Sequence, residues 1–439
     1  MNKKEDLWQK ISPDMFDETI ETVTHYTKDI AKFIEETKYN DLSDEVIKDT
    51  KMLILDTIGC ALAGINVQSS KISRKTVEEY LGGKTQSTVI GTAIKTSSPI
   101  AALANAKSAN AIDLDDCFMN VAHFAPQVIM APLGIGELFK KSGKEYLLSV
   151  TLGYEIAARI ALSANFWKVT AGLILGADTQ RLVFGANVFG AAVSTGKILN
   201  FNEEELLNTL GVCGYFAPSL IRSSESALEP PFYSDSGYMA KYCDAGWSTF
   251  TGVMSALYAK NKFIANHHVF DGKCGYIKLM GGQSANPSLL TNNLSNNQEH
   301  WYIQDSALKK YPCCKYIQNP IHLFLDIIEE NNIKIDDIEK IIVHFRPFHA
   351  LRFGEQDIQI IKNIPCTHNI PYNLTMAALK ISPNSKWHAK ENTENSKVKQ
   401  LMKKIFTVPS GEALVIGVED IKKCGFPKRI FSRVDIFYK

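Results

Sequence analysis

Ionisable side chains are concentrated in one short stretch, AIDLDDCFMNVAHFAP, which spans residues 111–126. Asp113, Asp115 and Asp116 follow a run of small apolar residues, and His123 comes after a short apolar gap. Charges of the same sign repel one another at this spacing, and apolar neighbours oppose the ionisation of an acid. An acid and a histidine that a turn brings together can move a proton as orienter and base. The alternative from these residues alone is a helix end with solvated acids and a structural histidine.

The segment that leads into the acidic stretch has the pattern of a helix. Pro99 is suited to a first-turn position, and the Ala-rich run PIAALANAKSANAID follows from it. That helix could continue to about Phe118. Asp113, Asp116 and Cys117 would then share one helical face.

Helical spacing of apolar residues continues through about residue 300. Ser43 is suited to cap one helix, and Gly64 is suited to end it. Further helix-like segments cover residues 16–37, 126–140, 144–163, 187–199, 203–213 and 237–260. We therefore predict an all-helical domain over residues 1–303.

The pattern changes after a polar, Asn-rich stretch at 284–300, which is typical of a linker or surface excursion. Helix-like segments alternate from there with strand-like ones, in the order IQNPIHLFLDIIEENN, IEKIIVHFRP, SKVKQLMKKIF and RIFSRVDIFYK. We predict a smaller α+β domain over residues 304–439. The fold class expected for the whole chain is mainly α.

Composition argues against several classes of partner. Of the 439 residues, 48 are Lys or Arg and 47 are Asp or Glu, so no net field favours nucleic acid or an anionic membrane. The start, MNKKEDLWQK, lacks the apolar core of a signal peptide, and Glu155 and Arg159 interrupt the most apolar stretch. The nine cysteines include no C-x-x-C, which argues against a zinc or iron–sulfur site. We expect a cytoplasmic protein with reduced thiols, no metal, no nucleic-acid partner and no membrane association.

Several segments, taken in order along the chain, are similar to one known family. They are DLSDEVIKDTKMLILDTIGCALAG, STVIGTAIKTSSPIAALANAKSANAIDLDDC, GYEIAARIALS, KYCDAGW, KKYPCC, IQNPIHLFLDIIEENNIKIDDIEKIIVHFRP and IPYNLTMAAL. Together they resemble the MmgE/PrpD family, which includes 2-methylcitrate dehydratase, cis-aconitate decarboxylase and iminodisuccinate epimerase. The resemblance implies a large helical domain joined to a smaller α+β lid. It also implies an active site between the two and a homodimer.

The resemblance carries five catalytic positions over to this chain. They are Asp113, His123, Lys241, Lys309 and Tyr372. Chemistry beside a carboxylate needs a base or acid for the proton and cations for the substrate's negative charge. Asp113 and His123 would supply the first need, the two lysines would supply the second, and the tyrosine would donate a proton.

The chain also departs from the family pattern. Cys117 replaces a threonine, and Arg181 and Gln318 stand where the family has histidines. We expect these three residues to contact the substrate, with the arginine fork reading a carboxylate. Family chains normally return to the helical domain after the last lid strand. This sequence stops at RVDIFYK, so that return is expected to be missing.

The resemblance implies a cofactor-independent lyase that dehydrates or decarboxylates a small polycarboxylate related to citrate or aconitate. One alternative is an isomerase, epimerase or cyclase recruited to specialised biosynthesis, which the loss of two histidines favours over the core metabolic dehydratase. The other alternative is a catalytically silent paralogue that binds a carboxylate.

Overall fold

The computed structural model is mostly helical, and within its described residues the few strands form three small sheets. The described residues are 24–119, 122–164, 185–217, 244–282, 285–356, 366–424 and 428–439. This architecture confirms the mainly α class. The domain boundary at 303/304 and the lid arrangement stay predictions.

Ten described helices precede residue 300. They are α1 (Tyr26–Glu36), α2 (Asp44–Gly64), α3 (Gln68–Tyr80), α4 (Ser98–Asn110), α5 (Ala125–Phe139), α6 (Gly143–Ser163), α7 (Gly185–Ile198), α8 (Glu203–Phe216), α9 (Ala245–Lys260) and α10 (Tyr276–Gly281). Eight of them agree with predicted helical segments, whereas α3 and α10 correspond to none. The parts of those predictions over 16–23 and 237–243 lie outside the described residues.

Helix α2 is bounded by the two residues predicted for its ends, Ser43 and Gly64. The Ser43 Oγ accepts a hydrogen bond from the backbone N–H of Val46 at 3.3 Å, as expected of an N-cap. At the other end, a Cβ on Gly64 would lie 2.0 Å from the carbonyl oxygen of Ser108. Only glycine permits this approach of α2 to α4.

Small residues also bring α6 and α7 into close contact. A Cβ on Gly153 would lie 2.8 Å from the carbonyl oxygen of Gly190, and a Cβ on Gly190 would lie 2.9 Å from the Cβ of Ala157. Every residue of α7 is buried. One of them, Asn187, donates a hydrogen bond from Nδ2 to the carbonyl oxygen of His123 at 2.8 Å. The close helix contact therefore holds part of the predicted site in place.

A second hydrophobic core is formed by residues between 311 and 434. Its helices are α11 (Lys315–Glu330), α12 (Pro347–Arg352), α13 (Ile370–Ala378), α14 (Lys390–Thr393), α15 (Ser396–Met402) and α16 (Gly411–Cys424). The seven described strands are β1 (Ser87–Thr88), β2 (Lys95–Thr96), β3 (Cys117–Phe118), β4 (Ser306–Ala307), β5 (Ile338–Phe345), β6 (Ile405–Pro409) and β7 (Arg433–Tyr438). In the largest sheet, β5 lies between β6, which is parallel to it, and β7, which is antiparallel.

The helix predicted over SKVKQLMKKIF is shorter than expected. It ends at Met402, and Ile405 begins β6 instead, paired with Ile341 of β5. Both isoleucines are fully buried. Burial in the sheet therefore overrides the local helical pattern.

The Asn-rich stretch is fixed to α6 by a buried ion pair. The Arg159 guanidinium bonds the Glu155 carboxylate at 2.8 Å and also donates to the carbonyl oxygens of Leu290 and Asn292. The second Glu155 oxygen accepts the backbone N–H of Tyr302 at 2.8 Å. This segment, predicted as a linker or excursion, is thus anchored at both ends of its path.

A helix must be long and apolar to cross a membrane. Among the described residues, no single helix is both long and apolar enough to do so. The pair α2 and α3 meets the length and composition criteria only together, and it is bent by 86°.

The buried ion pair leads to a stability prediction. Glu155→Gln should lower the free energy of unfolding by roughly 3–5 kcal/mol, because it leaves the Arg159 charge buried without its counter-charge. Urea unfolding followed by circular dichroism measures the change. The matched control is Glu79→Gln, which removes an exposed i,i+4 partner of Lys75 and should have almost no effect. Equal effects of the two substitutions would contradict the proposed importance of the buried pair.

Candidate active site

The acidic stretch forms a turn and a short strand, not the end of a longer helix. Helix α4 ends at Asn110, Asp113 has a left-handed backbone with φ of +55°, and β3 begins at Cys117. The prediction that Asp113, Asp116 and Cys117 share a helical face is therefore wrong. The physical reason is a long-range one. Strand β3 pairs antiparallel with β4, far along the chain, which requires an extended backbone.

The same strand pairing brings Lys309 to the acidic turn. Its Nζ lies 2.6 Å from the Asp113 carboxylate oxygen Oδ1 and 2.9 Å from the Asp113 carbonyl oxygen. Both side chains are buried. Burial opposes the ammonium charge, but the carboxylates of Asp113 and Asp115 outweigh that effect and raise the pKa of Lys309 above its usual value. The structure thus brings together two of the predicted catalytic residues, as a buried ion pair.

Asp116, an acid of this turn, has a raised pKa. Burial, followed by the neighbouring carboxylate of Asp115, raises its pKa to about 7. Two hydrogen bonds act in the opposite direction. The Tyr154 hydroxyl donates to Oδ2 at 2.9 Å, and the backbone N–H of Ala125 donates to Oδ1 at 3.1 Å. The role in proton transfer that the resemblance gives to Asp113 stays a prediction, and the raised pKa makes Asp116 a further candidate.

His123 lies against the same turn. Its Nδ1 donates a hydrogen bond to the carbonyl oxygen of Asp116 and lies 3.8 Å from Oδ2 of Asp115. Since a carbonyl only accepts, Nδ1 carries the hydrogen, and in the neutral ring Nε2 is the basic nitrogen. This arrangement fits the orienter-and-base role that the sequence predicts for an acid and a histidine.

Asp56 is an additional acid that sequence analysis did not single out. It lies on α2, partly buried, and accepts a weak hydrogen bond from the Cys60 thiol. Burial, followed by the carboxylate of Asp115, raises its pKa to about 6, while Lys309 acts to lower it. The feature of the sequence that could have identified Asp56 is its position as a lone acid inside the apolar run LILDTIGCALAG. Its proximity to the acidic turn could not be read from that run.

One group of side chains has the spacing of a metal site. Ligand atoms of Asp115, Asp116 and His123 all lie within 4.8 Å of one another. However, both carboxylate oxygens of Asp116 already accept hydrogen bonds, and Nδ1 of His123 is turned to a carbonyl. These contacts use part of the ligand capacity that a cation would need. That activity needs no metal stays a prediction.

Three other predicted site residues, Tyr372, Gln318 and Cys117, each have separate surroundings in the structure. Tyr372 is fully buried in the second core, and its hydroxyl donates to the carbonyl oxygen of Trp387. Gln318 closes a loop, since its amide accepts from the N–H of Tyr311 at 3.1 Å and donates to the carbonyl of the same residue at 2.9 Å. Cys117 is buried in β3, and burial raises the pKa of its thiol well above the usual value. Their roles toward a substrate stay predictions.

Lys241 and Arg181 lie outside the described residues. The first described residue after Lys241 is Asp244, which caps α9 and forms an ion pair with Lys107 of α4. Two residues later, Gly246 lies so close to α4 that a Cβ would be 2.7 Å from the carbonyl oxygen of Leu103. The start of α9 is therefore packed on the helix that leads into the acidic turn.

Most of the chain matches two known protein domains. Residues 28–288 match the MmgE/PrpD N-terminal domain, and residues 311–413 match the MmgE/PrpD C-terminal domain. The acidic turn lies in the first match, and Lys309 comes just before the second.

Curated relatives are 24% identical to the chain over part of its length. The cis-aconitate decarboxylase of Aspergillus terreus matches over 312 residues, which are 67% of this chain and 58% of that protein. The cis-aconitate decarboxylase of Homo sapiens matches over 293 residues, 65% of this chain and 56% of that protein. The cis-aconitate decarboxylase-like protein oryM of Aspergillus oryzae matches over 257 residues, 57% of this chain and 50% of that protein. The chain thus spans between half and three fifths of the length of these relatives.

The pKa of Asp116 leads to a prediction about pH and stability. Its folded value of about 7 exceeds the value of about 3.9 expected in the unfolded chain. The acid therefore stabilises the fold fully below about pH 4, and this contribution is lost as pH rises to 7. The free energy of unfolding of the wild type, minus that of Asp116→Asn, should fall by up to about 1.4 kcal/mol per pH unit over that range.

Urea unfolding at pH 5, 6, 7 and 8 measures this difference, which should level off above pH 7. The matched control is Asp326→Asn, which removes an exposed carboxylate on α11 and should give a difference that does not change with pH. A flat profile for Asp116→Asn as well would show that the Asp116 pKa is not raised.

Proposed function

Since this chain belongs to the MmgE/PrpD family, we propose that it is a lyase acting on a small polycarboxylate related to citrate or aconitate. The reaction is a dehydration or a decarboxylation that uses acid–base chemistry of the protein's own side chains. Relatives named cis-aconitate decarboxylase support this substrate class.

The observation that carries the proposal is the buried charge cluster around the Asp113–Lys309 pair. It joins a turn of the N-terminal family domain to the segment that enters the C-terminal one. Within it, the structure holds a cation, a histidine and an acid whose pKa is about 7. Buried cations and groups that titrate near neutral pH are what proton transfer beside a carboxylate requires.

Each group has a definite part in the proposed reaction. Nε2 of His123 takes a proton from a carbon next to a carboxylate, or returns one to it after carbon dioxide has left. In a dehydration, Asp116 in its protonated form supplies the proton that leaves with the substrate hydroxyl. Lys309 stabilises the negative charge that develops on the substrate.

The charge of Lys309 is already matched by Asp113, so a polycarboxylate requires further cations. Lys241 and Arg181 are the proposed source, and Arg181 would hold one carboxylate through two parallel hydrogen bonds. Both residues lie outside the described residues, so this part of the proposal depends on their sequence positions alone.

An isomerase or cyclase of the same family is the second candidate, favoured by the hydrogen bonds of Gln318. Its amide is used in the loop at Tyr311 and Cys313, so the position offers no group that transfers a proton. A reaction that removes a proton and returns it, without a leaving group, needs fewer such groups.

The proposed base gives a direct test. His123→Ala should lower turnover by roughly 10²-fold or more, because it removes the group that moves the proton. Consumption of citrate and of cis-aconitate, followed by proton NMR, provides the assay. The control is His300→Ala, which removes an exposed histidine paired with Asp305 and should keep full activity. A folded His123→Ala protein with wild-type turnover would exclude this site.

The expectation of metal independence is tested separately. Turnover should be unchanged after exhaustive dialysis against a chelator, because proton transfer and charge stabilisation come from side chains. Loss of turnover that one divalent ion restores would contradict this. Asp115, Asp116 and His123 would then be the candidate ligands of that ion.

A further inference from the structure

A histidine that the sequence analysis did not single out lies beside the loop that carries Lys309. Nε2 of His388 is 2.6 Å from the carbonyl oxygen of Pro312. The imidazole also stacks on the ring of Tyr372, with ring centres 5.8 Å apart and planes 25° from parallel. His388 is therefore held between the Lys309 loop and helix α13.

The contact with Pro312 defines which nitrogen of His388 carries the hydrogen. A carbonyl oxygen only accepts, so Nε2 donates, and Nδ1 of the neutral ring is an acceptor. Nδ1 is buried, and within the described part of the chain it has no hydrogen-bond partner. A buried acceptor without a partner is unfavourable. A group that donates a hydrogen bond to it therefore gains binding free energy.

The His388 ring is neutral at neutral pH. Burial lowers its pKa to about 4, although the hydrogen bond to Pro312 and the carboxylate of Asp113 both act to raise it. Its contacts with Pro312, three residues after Lys309, and with Tyr372 place the ring beside two of the predicted catalytic residues. The neutral His388 ring can accept a hydrogen bond, whereas the ammonium group of Lys309 can only donate.

The position of His388 is fixed by its neighbours. The indole N–H of Trp387 donates to Oδ1 of Asn373 at 2.8 Å, and the carbonyl oxygen of Trp387 accepts from the Tyr372 hydroxyl. Trp387 itself is fully buried. Because both polar groups of Trp387, the residue before His388, are anchored, and Nε2 of His388 is held by Pro312, the position of Nδ1 is fixed, as a selective contact requires.

The carboxylates of a polycarboxylate carry no proton at neutral pH, so they cannot donate to this nitrogen. A hydroxyl group can. We propose that Nδ1 of His388 accepts a hydrogen bond from a substrate hydroxyl and so selects a hydroxylated polycarboxylate over the same acid without the hydroxyl. This inference rests on the proposed function, since it concerns the substrate of that same site.

Two acids that differ only in the hydroxyl test this selection. Citrate and propane-1,2,3-tricarboxylate carry the same three carboxylates, and calorimetry measures the affinity of the full chain for each. The wild type should bind citrate about 3- to 10-fold more tightly, the size of one net neutral hydrogen bond.

Two substitutions separate the acceptor from the structural contact. His388→Gln keeps an amide N–H for the Pro312 carbonyl but has no acceptor where Nδ1 lies, so the citrate preference should disappear. His388→Asn keeps an acceptor near Nδ1 and loses the contact with Pro312, so part of the preference should remain. Circular dichroism and thermal melting establish that both variants fold.

A measurement on the wild type keeps the test independent of the variants. With ¹⁵N-labelled histidine, the resonance of the unprotonated His388 nitrogen should shift when citrate is added but not with propane-1,2,3-tricarboxylate. Equal affinities of the wild type for both acids, or a preference that survives His388→Gln, would overturn the role of His388 and leave the proposed function standing. Binding of neither acid would overturn the proposed polycarboxylate class, and this inference with it.

Discussion

The buried ion pair between Asp113 and Lys309 is the contact on which the site depends. Removing two charges from water is costly, and the cost is recovered only when the partners meet at short range with further hydrogen bonds. Lys309 meets this condition by bonding both the carboxylate and the carbonyl oxygen of Asp113. The pair therefore fixes the backbone of the acidic turn, at a residue with positive φ, to the segment that leads into the second hydrophobic core.

The distribution of charge around this pair follows from burial. One buried lysine faces several carboxylates, and the low-dielectric interior does not tolerate them all as anions. Asp113 is nearest to the cation. Asp116, which is hydrogen-bonded by a tyrosine and a backbone N–H instead, is the acid whose pKa rises to about 7. The cluster thus holds one carboxylate in an ion pair and another with a raised pKa.

The surrounding fold holds this cluster from two sides. Glycine contacts between α6 and α7 bring Asn187 to the backbone of His123, and the pairing of β3 with β4 brings Lys309 to Asp113. A second buried pair, Glu155 with Arg159, anchors the segment that runs from α10 toward β4. One buried ion pair therefore holds the segment that leads to the site, and the other lies within the site.

The sequence by itself determined the features that depend on neighbours along the chain. The helical spacing, the Ser43 cap, the end of α2 at Gly64 and the acid–histidine stretch were all readable, as was the family from its motifs. Such signals are local, because a helix or a cap is stabilised by contacts within a few residues.

Tertiary structure alone decided what depends on distant partners. The helix that could have continued to Phe118 ends early because β3 pairs with a strand near residue 306. The raised pKa values of Asp116 and Asp56 need the burial and the Asp115 charge that folding creates. His388 contacts the Lys309 loop at the carbonyl of Pro312, 76 residues away along the chain. Burial and long-range pairing set these properties, and neither is encoded in the spacing of nearby residues.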